Sequence, residues 1–374
     1  MAFYNEGDSN KIIGVGKQTL EQGAVRSGNI IETEQVEQAV EASVTQATKD
    51  LEETIEQTIV GVSGDMCLGL MTTARVVRGN TQQVSQEELD TLTKRITESA
   101  FNEANTKILQ ATGNENVDLE LITSTPVYTK INEKYTSRPL GTTAESIELA
   151  LYCAFSPTYH VKTIQKIAKR SGLSLLAISS EMYAFVTALK FAKGAHLDCV
   201  IVDMGSDTTD IGVVFGGGIV TTQTLNIGGK HFTEGISQKM GITYREADNI
   251  KKSYAQGKLA KSESLIVQTC LQEVLEVWLD GVQLTFAEFT GVKTFSPDVY
   301  LVGGGTQLPD VLEILEKEPW THSIPFKNPP EFNQITMADL TTKVSDATGR
   351  AQFGEFTLPA ALSIVFLEMK GEEI

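Results

Sequence analysis

The sequence predicts an α/β protein of more than one domain. Strand-like apolar runs alternate with helical periodicity near the start of the chain and again beyond residue 158, as expected of layered βα units. Within the later stretch, the run Val200-Ile-Val-Asp-Met-Gly-Ser-Asp-Thr-Thr-Asp-Ile-Gly-Val-Val-Phe215 reads as a strand ending in Asp203, a turn of small residues, and a second strand after Asp210. With 374 residues, 41% hydrophobic and 21% charged, the chain is long enough for two or three domains, each with its own core.

Residues 11–16 read as a short strand. A helix follows from about Thr33, with Val36, Val40, Val44, Ala47, Leu51 and Ile55 on one face as a core stripe. Strands are expected at 59–63 and 68–77. Ser85 and Glu88 have the spacing of a capping box, opening a helix that carries Leu89, Leu92, Ile96 and Ile108. Two further strands, 117–125 and 146–155, flank a turn-rich stretch at 136–141, so one helix plus strands forms a small subdomain at about 80–157. A helix at 163–171, a strand at 173–179 and a helix at 181–192 then lead into the Asp203 hairpin. Beyond Gly228-Gly229 come a helix near 231–240, a second capping box at Thr243 and Glu246, and a long helix through 263–287, together a helical insertion. Finally, a strand at 298–302 runs straight into Gly303-Gly304-Gly305-Thr306, and Pro309 suits the first turn of the next helix.

Composition excludes several function classes. A net charge of −17 without a local basic cluster opposes binding to nucleic acid or to an anionic membrane. Cys67, Cys153, Cys199 and Cys270 include no CxxC pair, which argues against a disulfide framework or a zinc site and fits a reduced cytosolic setting. The four histidines are scattered and read as ordinary residues rather than ligands. The N-terminus has neither a basic nor an apolar region of a signal peptide, and the apolar stretch 356–369 is shorter than the ~20 residues that span a bilayer.

The Asp203 hairpin carries the chemistry. Gly205 lacks a Cβ and lets backbone N–H groups approach an anion, Thr208 offers a hydroxyl, and Asp203 or Asp210 offers a carboxylate to a hydrated Mg²⁺. Taken alone, the same residues also make an ordinary solvated turn.

Four elements in order, Asp203-x-Gly-x-x-Thr-x-Asp210, Gly228-Gly229, Glu246-Ala-Asp-Asn-Ile-Lys251 and Val302-Gly-Gly-Gly-Thr306, resemble the actin, Hsp70 and sugar-kinase superfamily. Within it the chain resembles the FtsA family of bacterial cell-division proteins, through Val60-Gly-Val-Ser-Gly64, Val84-Ser-Gln-Glu-Glu88 and Arg138-Pro-Leu-Gly141. The resemblance implies an actin-like two-lobed α/β fold with ribonuclease H-like sheets and an α+β subdomain inserted in the first lobe. The implied division is 1–79 and 158–198 for the first lobe, 80–157 for the inserted subdomain, 199–230 and 296–374 for the second lobe, and 231–295 for a helical insertion that handles nucleotide and partner.

Carried over, Asp203, Gly205, Thr208 and Asp210 resemble the second phosphate loop, with Asp203 reaching Mg²⁺ through water. Gly303, Gly304, Gly305 and Thr306 resemble the adenosine loop. Asp248 and Lys251 stand where the superfamily places a Glu and a Lys against ribose and adenine, with the shorter Asp in place of Glu. The implied cofactors are ATP and Mg²⁺, with weak ATP turnover at most. The implied partners are the tubulin-like FtsZ, further copies in a filament and other divisome proteins, at the cytoplasmic face of the division site.

Two departures are expected. Residues 12–16 resemble the family's third strand, so the first hairpin, with its Asp-x-Gly-[Ser/Thr] phosphate loop, is expected to be absent. An upstream start is favoured over true loss, because removing two strands from a central sheet leaves unpaired edge and core. At the other end, residues 358–368 match the last domain helix and no amphipathic membrane helix follows, so attachment to the membrane is expected to be indirect. Two other functions stay open: a PilM-like adaptor of type IV pilus assembly, and a sugar-kinase-type phosphotransferase, for which the sequence offers no evident general base.

Overall fold

The structure, a computed structural model, describes residues 1–52, 54–114, 117–289, 291–317, 319–351 and 354–372. The chain opens with β1 (Ala2–Asn5) and β2 (Asn10–Gly14), an antiparallel pair, then a short hairpin of β3 (Val25–Arg26) and β4 (Asn29–Ile30). Helix α1 (Thr33–Thr48) follows and leads to β5 (Gln57–Val62). Gly14 and Gly16 bring α1 onto β2 and its exit loop. A Cβ at Gly14 would lie 1.8 Å from the Ala47 carbonyl oxygen, and one at Gly16 1.9 Å from that of Ser43, so only glycine fits.

The inserted subdomain consists of β6 (Leu68–Gln83), α2 (Gln86–Thr112), β7 (Leu119–Ile131), β8 (Lys134–Tyr135) and β9 (Thr143–Pro157). The sheet starts earlier than residue 80, where the sequence placed the boundary. β6 runs unbroken from 68 and pairs antiparallel with β9 from Leu68↔Phe155 onward, since each strand extends its neighbour's ladder. Leu92, Ile96, Ala100 and Ala104 of α2 bury against Ile147, Leu149, Leu151 and Cys153 of β9. Ser85 Oγ accepts from the Glu88 N–H at 3.2 Å, but the Glu88 carboxylate turns to Arg78 instead of the cap, so the expected box closes on one side only.

Helix α3 (Thr158–Arg170), β10 (Ser174–Ser180), parallel to β5, and α4 (Glu181–Lys193) return the chain to the first lobe. The second lobe is a meander of β11 (Cys199–Met204), β12 (Thr209–Phe215) and β13 (Gly218–Leu225). Helices α5 (Gly229–Met240), α6 (Tyr244–Ala255) and α7 (Lys261–Glu288) form the helical insertion. Then β14 (Asp298–Val302) joins β11 in parallel, and α8 (Pro309–Glu316) connects it to β15 (Glu331–Gln334) at the sheet's end. A single pairing of Thr221 with Leu70 fuses the lobe-two sheet with that of the inserted subdomain, giving nine strands in the order β15-β14-β11-β12-β13-β6-β9-β7-β8.

The chain's last part is not confined to the second lobe, as the sequence division had it. β16 (Val344–Asp346) pairs in parallel with β2, and α9 (Thr357–Glu372) lies on α4 and β5. Long-range contacts decide this: Asn10 Nδ2 donates to the Ser363 carbonyl in a fully buried hydrogen bond, Leu362 abuts Gly61, and Phe3 and Phe366 meet edge to face at 5.8 Å. The first-lobe sheet is therefore in two pieces, β1-β2-β16 and β10-β5, with β1 and β5 each at an edge. A cavity of about 300 Å³ separates them, lined by Met1, Ala2, Val40, Val44, Gln57 and Thr58. That explains why Val40 and Val44 are only half-buried although their stripe predicts core.

Candidate functional site

The predicted phosphate hairpin forms as a tight turn between two buried strands. The apolar run 199–204 is wholly buried, which fixes β11, and Gly205 N–H donates to the Thr208 carbonyl at 2.9 Å to close the turn. Register sets Asp203 opposite Asp210 on one side and opposite Val302 on the other. Thr208 Oγ1 donates to Asp210 Oδ2 at 3.4 Å, and Thr224 Oγ1 donates to Asp210 Oδ1.

Gly228 and Gly229 close on this turn. Gly229 N–H donates to the Gly205 carbonyl at 2.9 Å and Lys230 N–H to that of Ser206 at 2.8 Å, while a Cβ at Gly228 would sit 2.7 Å from the Ser206 oxygen. Two backbones approach this closely only when one has no side chain. Lys251 Nζ donates to the Gly229 carbonyl at 2.8 Å and to Thr233 Oγ1 at 2.6 Å, and stands 3.3 Å from Asp248. Burial lowers the Lys251 pKa despite Asp248. Burial works to raise that of Asp248, but Lys252 and Lys251 outweigh it and hold the carboxyl below its ordinary range.

Gly303 has φ +88°, and a Cβ there would lie 2.4 Å from Asp203 Oδ1. Gly305 packs equally tightly on Met204, whereas Gly304 faces open space and is free for a ligand. Thr306 Oγ1 donates to the Gly303 carbonyl at 2.9 Å and pins the loop. Thus a chain of hydrogen bonds and close contacts links Asp203, Gly205, Thr208, Asp210, Gly228, Gly229, Asp248, Lys251 and Gly303 to Thr306 in one neighbourhood.

Sequence reasoning missed the first-lobe wall. Gly64 N–H donates to Asp210 Oδ2 at 3.2 Å, and Ser27 Oγ donates to Asn226 Oδ1 at 3.2 Å, both across the two lobes. Glu181, the first residue of α4, bonds to Ser63 and packs against Gly61. Its signal was Ser180, which caps α4 through the Tyr183 N–H and so fixes an acid in the first helical turn. Glu181, Asp203 and Asp210 form an acidic trio. Burial, opposed by the Ser63 bond and reinforced by Asp210, pushes Glu181 up to about 7. Burial pushes Asp210 up to about 6 against hydrogen bonds from Thr224, Gly64 and Thr208. Asp203 is raised well above the carboxylate range by burial, then by Glu181 and Asp210. Buried acids this close favour a bound cation or protons. Among the described residues no three His, Cys, Asp or Glu groups are placed to hold a metal ion together. The donor set therefore fits Mg²⁺ with a nucleotide: oxygen ligands, glycine backbones at the approach points and an open Gly304.

Residues 200–348, the segment holding most of these residues, match the sequence model of the cell division protein FtsA. Cell division protein FtsA of Agrobacterium fabrum is 23% identical over 328 residues, 80% of this chain and 69% of its own. The chain is FtsA-like. The FtsA of Neisseria meningitidis is 21% identical, spanning 91% of this chain and 84% of its own, and that of Enterococcus faecalis is 20% identical over 99% and 87%. Among solved structures, the PilM–PilN type IV pilus biogenesis complex superposes with a TM-score of 0.64 at 12% identity, covering 98% of this chain and 94% of that one. At that identity the likeness concerns the fold, which is actin-like in this FtsA-like chain. No helix among the described residues is long and apolar enough to cross a membrane.

Proposed function

We propose that this FtsA-like chain is a cell-division protein that binds ATP with Mg²⁺ between its lobes, self-associates as an actin-like filament subunit and recruits FtsZ. The observation that supports this most is the contact of the two glycine turns and Lys251 with the hairpin that carries Asp203 and Asp210, within the segment similar to FtsA. Mg²⁺ would offset the negative charge shared by the nucleotide phosphates and the acids. Asp203 orients water ligands, Gly205 and Thr208 present an N–H and a hydroxyl to phosphate, and Gly303 to Gly305 admit the nucleoside to the sheet's end. Asp248 and Lys251 face the sugar and base.

Ser27, Gly64, Asn226 and Asp210 bridge the lobes, so a ligand held between them stabilises the closed arrangement through its differential affinity. In this proposal the inserted subdomain and the lobes supply filament contacts, and the helical insertion, where α7 exposes Leu265, Ile266, Val277 and Leu284, supplies the partner surface. In this reading the chain works at the cytoplasmic face of the membrane at the division site.

Calorimetry with Mg-ATP tests the cleft: Asp203→Ala should weaken binding, and unchanged affinity would count against the assignment. Sedimentation with FtsZ tests the partner. The likeness to the PilM–PilN complex keeps a pilus-adaptor reading in view, and capture of a short cytoplasmic peptide from a PilN protein instead of FtsZ would favour it.

A further inference from the structure

Thr209 follows Thr208 in the phosphate hairpin but serves a different purpose. It is fully buried, and its one hydroxyl joins three segments: Oγ1 donates to the Ile227 carbonyl at 2.7 Å and accepts from the Trp278 indole N–H at 3.0 Å. Ile227 leads directly into Gly228-Gly229, the turn whose backbone rests on Gly205 and Ser206. Trp278 lies at 0% exposure on the inner face of α7, the 28-residue helix that dominates the helical insertion. Close packing continues along α7 on both sides. A Cβ at Gly281 would meet Leu225 of β13 at 2.8 Å, and one at Gly235 of α5 would meet Val274 at the same distance.

From this we infer that the Thr209–Trp278 hydrogen bond is a coupling joint: it positions both phosphate-facing backbones and carries occupancy of the cleft to α7. The inference rests on the nucleotide reading above. A buried indole N–H needs an acceptor, and several carbonyls of an apolar core would serve. The partner here is instead the hydroxyl that holds the glycine turn against the hairpin. Any shift of α7 along the sheet must then lengthen this bond or drag the Gly228-Gly229 turn with it, because the core around it is close-packed. Thr209 and Trp278 are positioning residues, since neither side chain reaches the cleft itself.

The chain's other tryptophan, Trp320, is distant in sequence, so a Trp320→Phe parent leaves Trp278 as sole indole reporter. In that full-length parent, saturating Mg-ATP should change Trp278 emission. Thr209→Val, nearly isosteric but without the hydroxyl, should lose about tenfold in Mg-ATP affinity by calorimetry, the size that one unmade buried hydrogen bond supplies. It should also abolish the emission response, whereas Thr209→Ser restores both. Trp278→Phe in the natural chain should match the affinity loss of Thr209→Val.

A folded Thr209→Val or Trp278→Phe that binds within twofold of its parent, or an emission silent to saturating ligand, would overturn the joint while leaving the nucleotide reading intact. If Thr209→Val does not fold, the Thr209→Ser titration and the emission change decide. A parent that binds no Mg-ATP by calorimetry would refute the nucleotide reading itself, and the joint with it.

Discussion

Replacing Asp203 with Asn should stabilise the protein in the absence of cations, and the gain should grow with pH. Glu181 rises from the ordinary 4.5 to about 7 and Asp210 from 3.8 to about 6, each with burial as the leading cause. At about 1.4 kcal/mol per pH unit, each rise costs about 3 kcal/mol of stability once both folded and unfolded states are ionised. The sign follows from proton counts. Below pH ~4 both states hold the protons and no penalty exists. As pH climbs past the unfolded values, the unfolded chain ionises while the buried acids keep their protons, so the folded state binds more protons and stability falls until the acids also ionise near 6 to 7.

Asp203→Asn removes one acid and the repulsion it shares with the other two. The variant should exceed the parent by about 1–3 kcal/mol at pH 8 and by little at pH 4.5, with the difference shrinking when Mg²⁺ is added to the parent alone. Urea denaturation in EDTA at four pH values measures it, and taking the difference cancels groups common to both proteins. A variant no more stable than the parent at pH 8, or a difference flat across pH, would refute the idea that the trio is electrostatically strained.

Gly303→Ala should cost about 1–3 kcal/mol, because φ +88° is adverse for alanine and its Cβ would sit 2.4 Å from Asp203 Oδ1. A melting temperature equal to that of the parent would contradict it. His160 is buried, Nδ1 lacks a partner, and burial lowers its pKa. Stability from keeping it neutral is complete above pH ~6.5 and falls as pH drops below that value, opposite in sign to the acidic trio. A His160→Leu variant should therefore lose less stability than the parent between pH 7 and 5, and equal losses would remove His160 as a cause.

Much of the second lobe is legible in the sequence because its signals are local. The Thr243–Glu246 capping box forms in both directions, with Thr243 N–H donating to Glu246 at 2.9 Å and Glu246 N–H to Thr243 Oγ1 at 3.3 Å. The glycines at 228, 303 and 305 each meet a backbone or side chain that excludes a Cβ, which is why their spacing carried information. Elements defined by distant partners were not legible. Strand β1 is four residues of mixed polarity that exist by pairing with β2, and β16 is a short strand whose partner β2 lies at the other end of the chain. Glu181 escaped for a related reason. Its neighbours Ser63 on one side and the Asp203–Asp210 hairpin on the other come from separate segments, and nothing in the sequence brings Glu181 to either.

The break in the first-lobe sheet has a mechanical consequence. Among the described residues no ladder of hydrogen bonds joins β10-β5 to β1-β2-β16, and α9 is an element that packs on both, touching β5 and β16. Helix–sheet contacts yield by sliding, whereas ladders resist shear. The lobe should accordingly behave as two plates in a flexible mount rather than one slab, with the outward-facing amides of β1 and β5 exchanging hydrogen far sooner than those of the continuous nine-stranded sheet.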